Sequence, residues 1–236
     1  MATTAASKRG LKKKGSPSVK RKRGQRASRS EPRTRDPVAT RQRILEAATR
    51  EFARLGFGGA RVDAIAARAG ANKRMIYHYF GNKSRLFLAV LESSYGAIRS
   101  AEQALDLEHL EPEVALRTLT EFTWRYYLAH PEFLTLVNSE NLHKARHLKQ
   151  SKLVGEMFSN LVEMVRKILD RGVRKGVFRK GVDPVQLNIT IAAIGYYYLT
   201  NQHTGSIIFK QNMMAPAALK RRLAFNVDTI MRLVSK

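Results

Sequence analysis

The sequence predicts an all-α protein of about nine helices, and three observations carry that prediction. Apolar side chains recur at three- and four-residue spacings from residue 37 almost to the C-terminus. The breaks between these runs are helix punctuation: proline at 37, 112, 131, 184 and 216 where runs open, and glycine at 56, 70 and 81 where they close. No segment shows the strict alternation of a half-buried strand.

The elements follow in order. Asp36 and Pro37 give a side-chain cap and a proline at the first helical position, and Ile44, Leu45, Ala48, Phe52 and Leu55 share a face until Gly56 closes the helix. A short second helix places Val62, Ile65, Ala66 and Ala69 on one side and stops at Gly70. Its expected cap position, Ala60, has no side-chain acceptor, which weakens that start by about 0.5–2 kcal/mol. Asn72 caps a third helix that buries Ile76, Tyr79 and Phe80 before Gly81, and Asn82 caps a longer fourth carrying Leu86, Phe87, Val90, Leu91 and Ile98. Pro112 opens a helix through Val114, Leu116, Leu119, Phe122, Trp124 and Tyr127, and Pro131 a shorter one through Leu134 and Val137. A long amphipathic stretch from Lys152 to Lys175 places Leu153, Met157, Leu161, Val165 and Ile168 on its stripe. Asp183 and Pro184 start a helix to about His203, and Pro216 starts the last one.

Composition bounds the function. With 236 residues the chain is long enough for a sizeable core, and with no cysteine it has no disulfide, thiolate metal site or cysteine nucleophile. No run of about 18 uncharged apolar residues exists, and the basic first residues are followed by no apolar segment, so neither a membrane span nor a secretory signal is expected and the chain reads as soluble and cytoplasmic. Lys and Arg number 43 against 19 Asp and Glu, a net charge of +24 that points to a polyanionic partner. Residues 1–36 carry +11 of it and residues 37–100 a further +7, leaving +6 for the other 136. Residues 1–36 hold almost no large apolar side chains and are expected to form a disordered basic arm that follows phosphates or a minor groove.

Three positions then meet the demands of a helix-turn-helix: a small residue where the helices cross (Ala66), one tolerant of left-handed backbone in the turn (Gly70), and an apolar residue on the second helix (Ile76). Together with the preceding amphipathic helix and the local positive charge, this spacing predicts a DNA-binding domain over residues 37–83.

The run from Gly56 to Leu91, GFGGARVDAIAARAGANKRMIYHYFGNKSRLFLAVL, resembles the DNA-binding domain of the TetR family of bacterial transcriptional regulators, above all in IAARAG, IYHYFGNK and LFLAVL. The likeness spans about residues 38–91. It implies a homodimer on a palindromic double-stranded operator, a recognition helix in the major groove, and a helical effector-binding and dimerisation domain over 84–236 whose small-molecule ligand weakens operator binding. Carried over by position, the recognition helix runs from its cap Asn72 to Phe80. Lys73, Arg74 and Met75 match residues facing base edges; Tyr77, His78 and Lys83 match phosphate contacts; Arg61 and Arg43 assist from the preceding helices. Lys and Arg suit guanine acceptors and Met a thymine methyl.

In the second domain Tyr95, Trp124 and Tyr127, with Asn138, Asn141 and His143, are the candidate effector-binding residues, offering aromatic walls and a few polar groups. His143 and His147 stand at metal-ligand spacing near Glu140, but Lys144 and Arg146 beside them repel a cation, so no metal or cofactor is expected. No catalytic grouping is present and an enzyme is not expected. The helix from 184 is apolar nearly all round. Since the resembled family dimerises through its last two long helices, Ala192, Gly195, Tyr196 and Leu199, with Leu223 and Val227, are the expected interface. The function predicted is an effector-released repressor; the alternative is a non-specific nucleic-acid-binding or nucleoid-associated protein.

Overall fold

The computed structural model describes residues 36–236, so the predicted basic arm, Asp36 excepted, lies outside the described residues. Ten α-helices follow in order: α1 (Pro37–Gly59), α2 (Val62–Ala69), α3 (Lys73–Phe80), α4 (Lys83–Gln103), α5 (Pro112–Ala129), α6 (Pro131–Leu142), α7 (Lys152–Arg174), α8 (Pro184–Thr200), α9 (Gln202–Ile208) and α10 (Pro216–Val234). A single 3₁₀ turn at Leu148–Gln150 leads into α7. Among the described residues the one extended pairing is an isolated antiparallel bridge between Phe178 and Ser235.

The predicted caps form. Asp36 accepts from the Val38 amide, Asn72 from Met75, Asn82 from Arg85 and Asp183 from Val185, each at 2.7–2.9 Å. The start of α2 differs from expectation: Arg61 occupies its cap position with no side-chain hydrogen bond, and Ala60 is buried in the core instead. The predicted helix from 184 to about 203 ends earlier, at Thr200. There the Thr200 hydroxyl donates back to the Tyr196 carbonyl (2.8 Å) and the Asn201 amide to that of Tyr197 (2.9 Å), and a separate short helix, α9, begins.

Three apolar clusters hold the chain. The first joins α1–α4 through Ile44, Phe52, Ile65, Ile76, Leu86 and Phe87, all fully buried, and takes in Leu136 of α6. Each such side chain contributes roughly 1.5–3 kcal/mol. This core therefore runs past residue 83 and binds the helix-turn-helix to α6. The second cluster unites α5, α7, α8 and α10 around Leu116, Val165, Ile168, Leu187 and Ile230. The third, around Ile98, Trp124, Tyr127, Phe133 and Leu199, lies where α4, α5, α6 and α8 meet. Leu55, Val114 and Leu153, expected on apolar stripes, are instead exposed, Leu55 just before the Gly56 kink and Val114 and Leu153 in the first turns of α5 and α7.

Gly56 closes the regular part of α1 with φ 66° and ψ 178°, a left-handed conformation that glycine adopts without strain. The kink turns Phe57 back toward α6, where its backbone N–H donates to the Ser139 hydroxyl at 3.2 Å.

Candidate nucleic-acid interface and effector cavity

Ala66 and Ile76 are buried where α2 and α3 cross, and Gly70 between them has the left-handed conformation (φ 60°) that the turn requires. This fixes which side of α3 faces out. Lys73, Arg74, Tyr77 and His78 form that side, Tyr77 being 41% exposed, whereas Ile76 and Phe80 point into the core. Met75, expected at a base edge, is partly buried and packs against the core of the DNA-binding head (α1–α3 with the start of α4), beside the buried Ile76.

Lys73 is paired with Asp63 of α2 at 3.1 Å, and that carboxylate raises the lysine's pKa by hydrogen bonding and charge. Arg74 makes no ion pair among the described residues and is the uncommitted cation of α3. Arg43 serves chiefly as a strut: it donates to the Thr40 hydroxyl (3.0 Å) and to the Ala69 carbonyl (3.4 Å), closing the end of α2 onto α1. Arg61 is exposed at the start of α2, and Asn72 spends its side chain on the cap. Lys83 stands at the first position of α4 with its ammonium 4.9 Å above the Phe57 ring and 3.4 Å from the Gly58 carbonyl oxygen, and partial burial lowers its pKa.

Behind the head lies a cavity of about 630 Å³ between α4, α5, α6, α7 and α8. Of the predicted effector residues, Tyr95, Tyr127 and Asn141 line it. Trp124 does not: it is core, packed edge-on against Tyr198 and close against Gly195. The Asn138 side-chain oxygen accepts from the Tyr196 hydroxyl, tying α6 to α8. His143 lies past the end of α6 and packs edge-on against Phe57, away from the cavity.

Sequence reasoning missed the cavity's charged pair. Arg99 and Glu102 of α4 join at 2.9 Å with side chains 12% and 4% exposed, and the guanidinium stacks 5.1 Å from the Phe158 ring. The Arg99 Nε and Nη1 groups are buried with no acceptor, which costs about 1–3 kcal/mol for each unmet donor. Burial pushes the Glu102 carboxyl up from 4.5 to about 7, Arg99 offsetting only part of the shift. Because the folded state holds this proton more tightly than the unfolded chain, stability is greatest below pH 4.5 as far as this group is concerned and falls as pH rises toward 7. The loss is on the order of 3 kcal/mol. Urea melts of wild type and Glu102→Gln at pH 5 and pH 8 check it: the wild type is expected to lose more stability over that interval than the variant.

The cavity and the head share α6. Val137 and Asn141 face the cavity, while Leu136, Ser139 and Glu140 face the head. Glu140 is 2% exposed and fully engaged: Oε1 accepts from the His147 and Leu148 amides at 2.8 and 2.9 Å, and Oε2 from His147 Nδ1 at 2.6 Å. The His147 ring in turn lies 4.6 Å from Phe57 and 4.9 Å from Phe87. Of the two histidines at metal-ligand spacing, His147 is held in a buried hydrogen-bonded pair with Glu140 that seats the head, and His143 packs on Phe57.

The expected interface residues divide. Gly195, Leu199 and Val227 are buried, Gly195 against Trp124 and Tyr127 and Leu199 in the third cluster, and offer little surface. Ala192 and Tyr196 line the cavity, and Leu223 is half-buried beside the third cluster. Val185 and Tyr197 of α8 are exposed outside the cavity, Ile189 and Ala193 are exposed at its mouth, and Phe225 on α10 is exposed as well. Arg222 of α10 donates to the Ile194 carbonyl of α8 at 2.9 Å and covers the Phe225 ring, linking the two helices.

Both parts of the chain match known proteins. Residues 44–90 match the family model described as bacterial regulatory proteins, tetR family, and residues 112–230 match the tetracyclin repressor-like C-terminal domain. The HTH-type transcriptional repressor NicS of Pseudomonas putida is 38% identical over 193 residues, covering 82% of this chain and 91% of that protein. The HTH-type transcriptional repressor AcnR of Corynebacterium glutamicum is 28% identical over 172 residues, covering 72% and 85%. Among solved structures, a transcriptional regulator of Streptomyces coelicolor superposes with a TM-score of 0.63 at 25% identity, covering 83% of this chain and 98% of that one. One from Saccharomonospora viridis, in complex with choline, has the same fold with a TM-score of 0.67 at 18% identity, covering 84% and 99%. The chain belongs to the TetR family of bacterial regulatory proteins and is a DNA-binding transcriptional regulator.

Proposed function

We propose that the protein is a cytoplasmic homodimeric repressor that places α3 of each subunit in successive major grooves of a palindromic operator and is released when a small molecule fills the cavity behind the head. The observation that carries this reading is the position of α6, one face on the cavity and the other packed against α1 through Leu136 and Ser139, with Glu140 holding His147 against Phe57 and Phe87. A ligand that displaces Val137 or Asn141 moves the seat of the head. Two recognition helices then lose the spacing of about 34–36 Å that successive grooves demand.

Within α3, Arg74 is assigned the base contact and Tyr77 and His78 the flanking phosphates, with Lys83 on the backbone at the start of α4. Lys73 reaches DNA only by giving up Asp63, an exposed pair that solvent screens. Arg74→Ala is expected to cost about 1–3 kcal/mol of operator binding and to relax preference at one base position in each half-site. Lys83→Ala is expected to weaken matched and mismatched duplexes alike. Selection of bound sequences from random duplexes, followed by fluorescence anisotropy on the selected site, tests both. Recovery of no palindrome favours non-specific nucleic-acid binding instead.

A further inference from the structure

We propose that the effector is a small planar aromatic carboxylate whose anionic oxygens are taken by Arg99 and whose ring lies among the aromatic side chains of the cavity. This rests on the reading of the cavity as the effector site and goes on to give the ligand its chemistry.

The cavity leaves hydrogen-bond donors unmet. Arg99 is the cation in its lining, and of its three guanidinium nitrogens only Nη2 has a partner, Glu102. Nε and Nη1 are buried and bond to nothing. A buried guanidinium with idle donors is satisfied by a ligand rich in acceptors, and a carboxylate presents two oxygens to its planar fork. A cationic ligand meets this guanidinium at close range and gains only a carboxylate that Arg99 already holds.

The walls give the rest of the molecule. Tyr95 stands edge-on to both Phe133 and Phe158, with centroids 5.4 and 5.5 Å apart, and Tyr127 stacks on Phe133 at 5.9 Å. Such a box accepts a flat ring by further edge-to-face contacts. Asn141 and Asn188 on the lining add amide groups for a ring heteroatom or substituent.

Glu102 makes anion binding proton-linked. Its carboxyl faces Arg99 on its own helix and the Tyr126 and Tyr127 hydroxyls from α5, while Asp106 and Glu108 line the neighbouring cleft that Arg99 and Glu102 form with α7. A second carboxylate brought to Arg99 repels an ionised Glu102 and favours its protonated form, so binding takes up protons near neutral pH and weakens as pH rises above it.

The test uses the full chain, with benzoate, benzamide, benzylammonium and acetate as probes. Trp124, the sole tryptophan, lies against Tyr127's neighbour Gly195 and reports occupancy by fluorescence, and operator release is followed separately by anisotropy. Benzoate is expected to bind at least tenfold more tightly than the other three, with a heat of binding that changes between phosphate and Tris buffers because protons are taken up. Arg99→Gln is expected to weaken benzoate roughly 10- to 100-fold and Arg99→Lys by less, thermal melts showing that each variant is folded. The buffer dependence needs no variant and stands if either fails to fold. Equal binding of benzamide or benzylammonium, benzoate binding untouched in Arg99→Gln, or no proton uptake overturns the carboxylate assignment. The two readings fail differently: a neutral or cationic probe that fills the cavity and releases the operator sinks only the carboxylate, whereas benzoate that fills the cavity and leaves the operator bound sinks the release mechanism.

Discussion

Glu140→Ala is expected to destabilise the protein by about 3–5 kcal/mol, the range found when one member of a buried ion-paired or hydrogen-bonded group is removed. The carboxylate takes three N–H groups at once, those of the His147 and Leu148 backbone and of the His147 ring, and all three lose their only partner in the variant. Water cannot replace them without opening the contact of His147 with Phe57 and Phe87. Glu140→Gln keeps the shape and one acceptor oxygen but opposes an amide N–H₂ to one of those donors, so an intermediate loss is expected. Chemical denaturation of the three proteins checks the order. Operator affinity checks the second half of the argument: because this pair seats the head on α6, the alanine variant is expected to bind DNA less well even at temperatures where it remains folded. A variant destabilised by less than 1 kcal/mol is incompatible with a buried, fully engaged carboxylate.

The other large effect concerns assembly. A double substitution Tyr197→Glu and Phe225→Glu is expected to convert the proposed dimer to monomer and to reduce operator affinity by two orders of magnitude or more, because the second half-site is then no longer held at high effective concentration. Both side chains are more than half exposed, on α8 and α10 respectively, so the isolated fold tolerates the charges. In a dimer seam four carboxylates would be buried without partners. Sedimentation velocity gives the assembly state, and an unchanged dimer places the seam on another face. Leu199→Glu serves as the contrast: its side chain is in the third cluster, and it is expected to unfold the chain before it separates subunits.

What the sequence disclosed and what it withheld divide by the range of the interaction. Asn72, Asn82, Asp36 and Asp183 act on amides two or three residues away, and Ala66, Gly70 and Ile76 meet requirements internal to one turn, so all were legible as spacing. The absolute orientation of a helix was not. On α8, apolar residues cover every face, and periodicity alone does not say whether Gly195 and Leu199 or Ile189 and Tyr197 look outward; only the positions of Trp124 and Tyr127 decide it. Met75 is a milder instance, one residue from a buried isoleucine on a helix too short to show a phase. His143 lies just past α6, where the chain turns toward the head, and no local signal records that turn. Arg99 and Glu102 were missed for the opposite reason. At i, i+3 on a helix they look like an ordinary solvated pair, and what makes them chemical is burial by α5, α7 and α8, helices that lie far along the chain.

The Phe57 ring has a consequence for the thermodynamics of DNA recognition. A lysine usually loses several freely rotating bonds when it docks on a phosphate, an entropic penalty of up to about 2 kcal/mol. Lys83 has already lost much of that freedom, being held above Phe57 on one side and beside the Gly58 carbonyl on the other, with the Arg146 guanidinium 5.0 Å from the same ring. Its docking is thus preordered and partly dehydrated before any duplex arrives. The phosphate contact assigned to it is expected to be favoured by enthalpy with little entropic cost, and Phe57→Leu, which removes the aromatic face but keeps the apolar volume, is expected to transfer part of that cost back to the moment of binding.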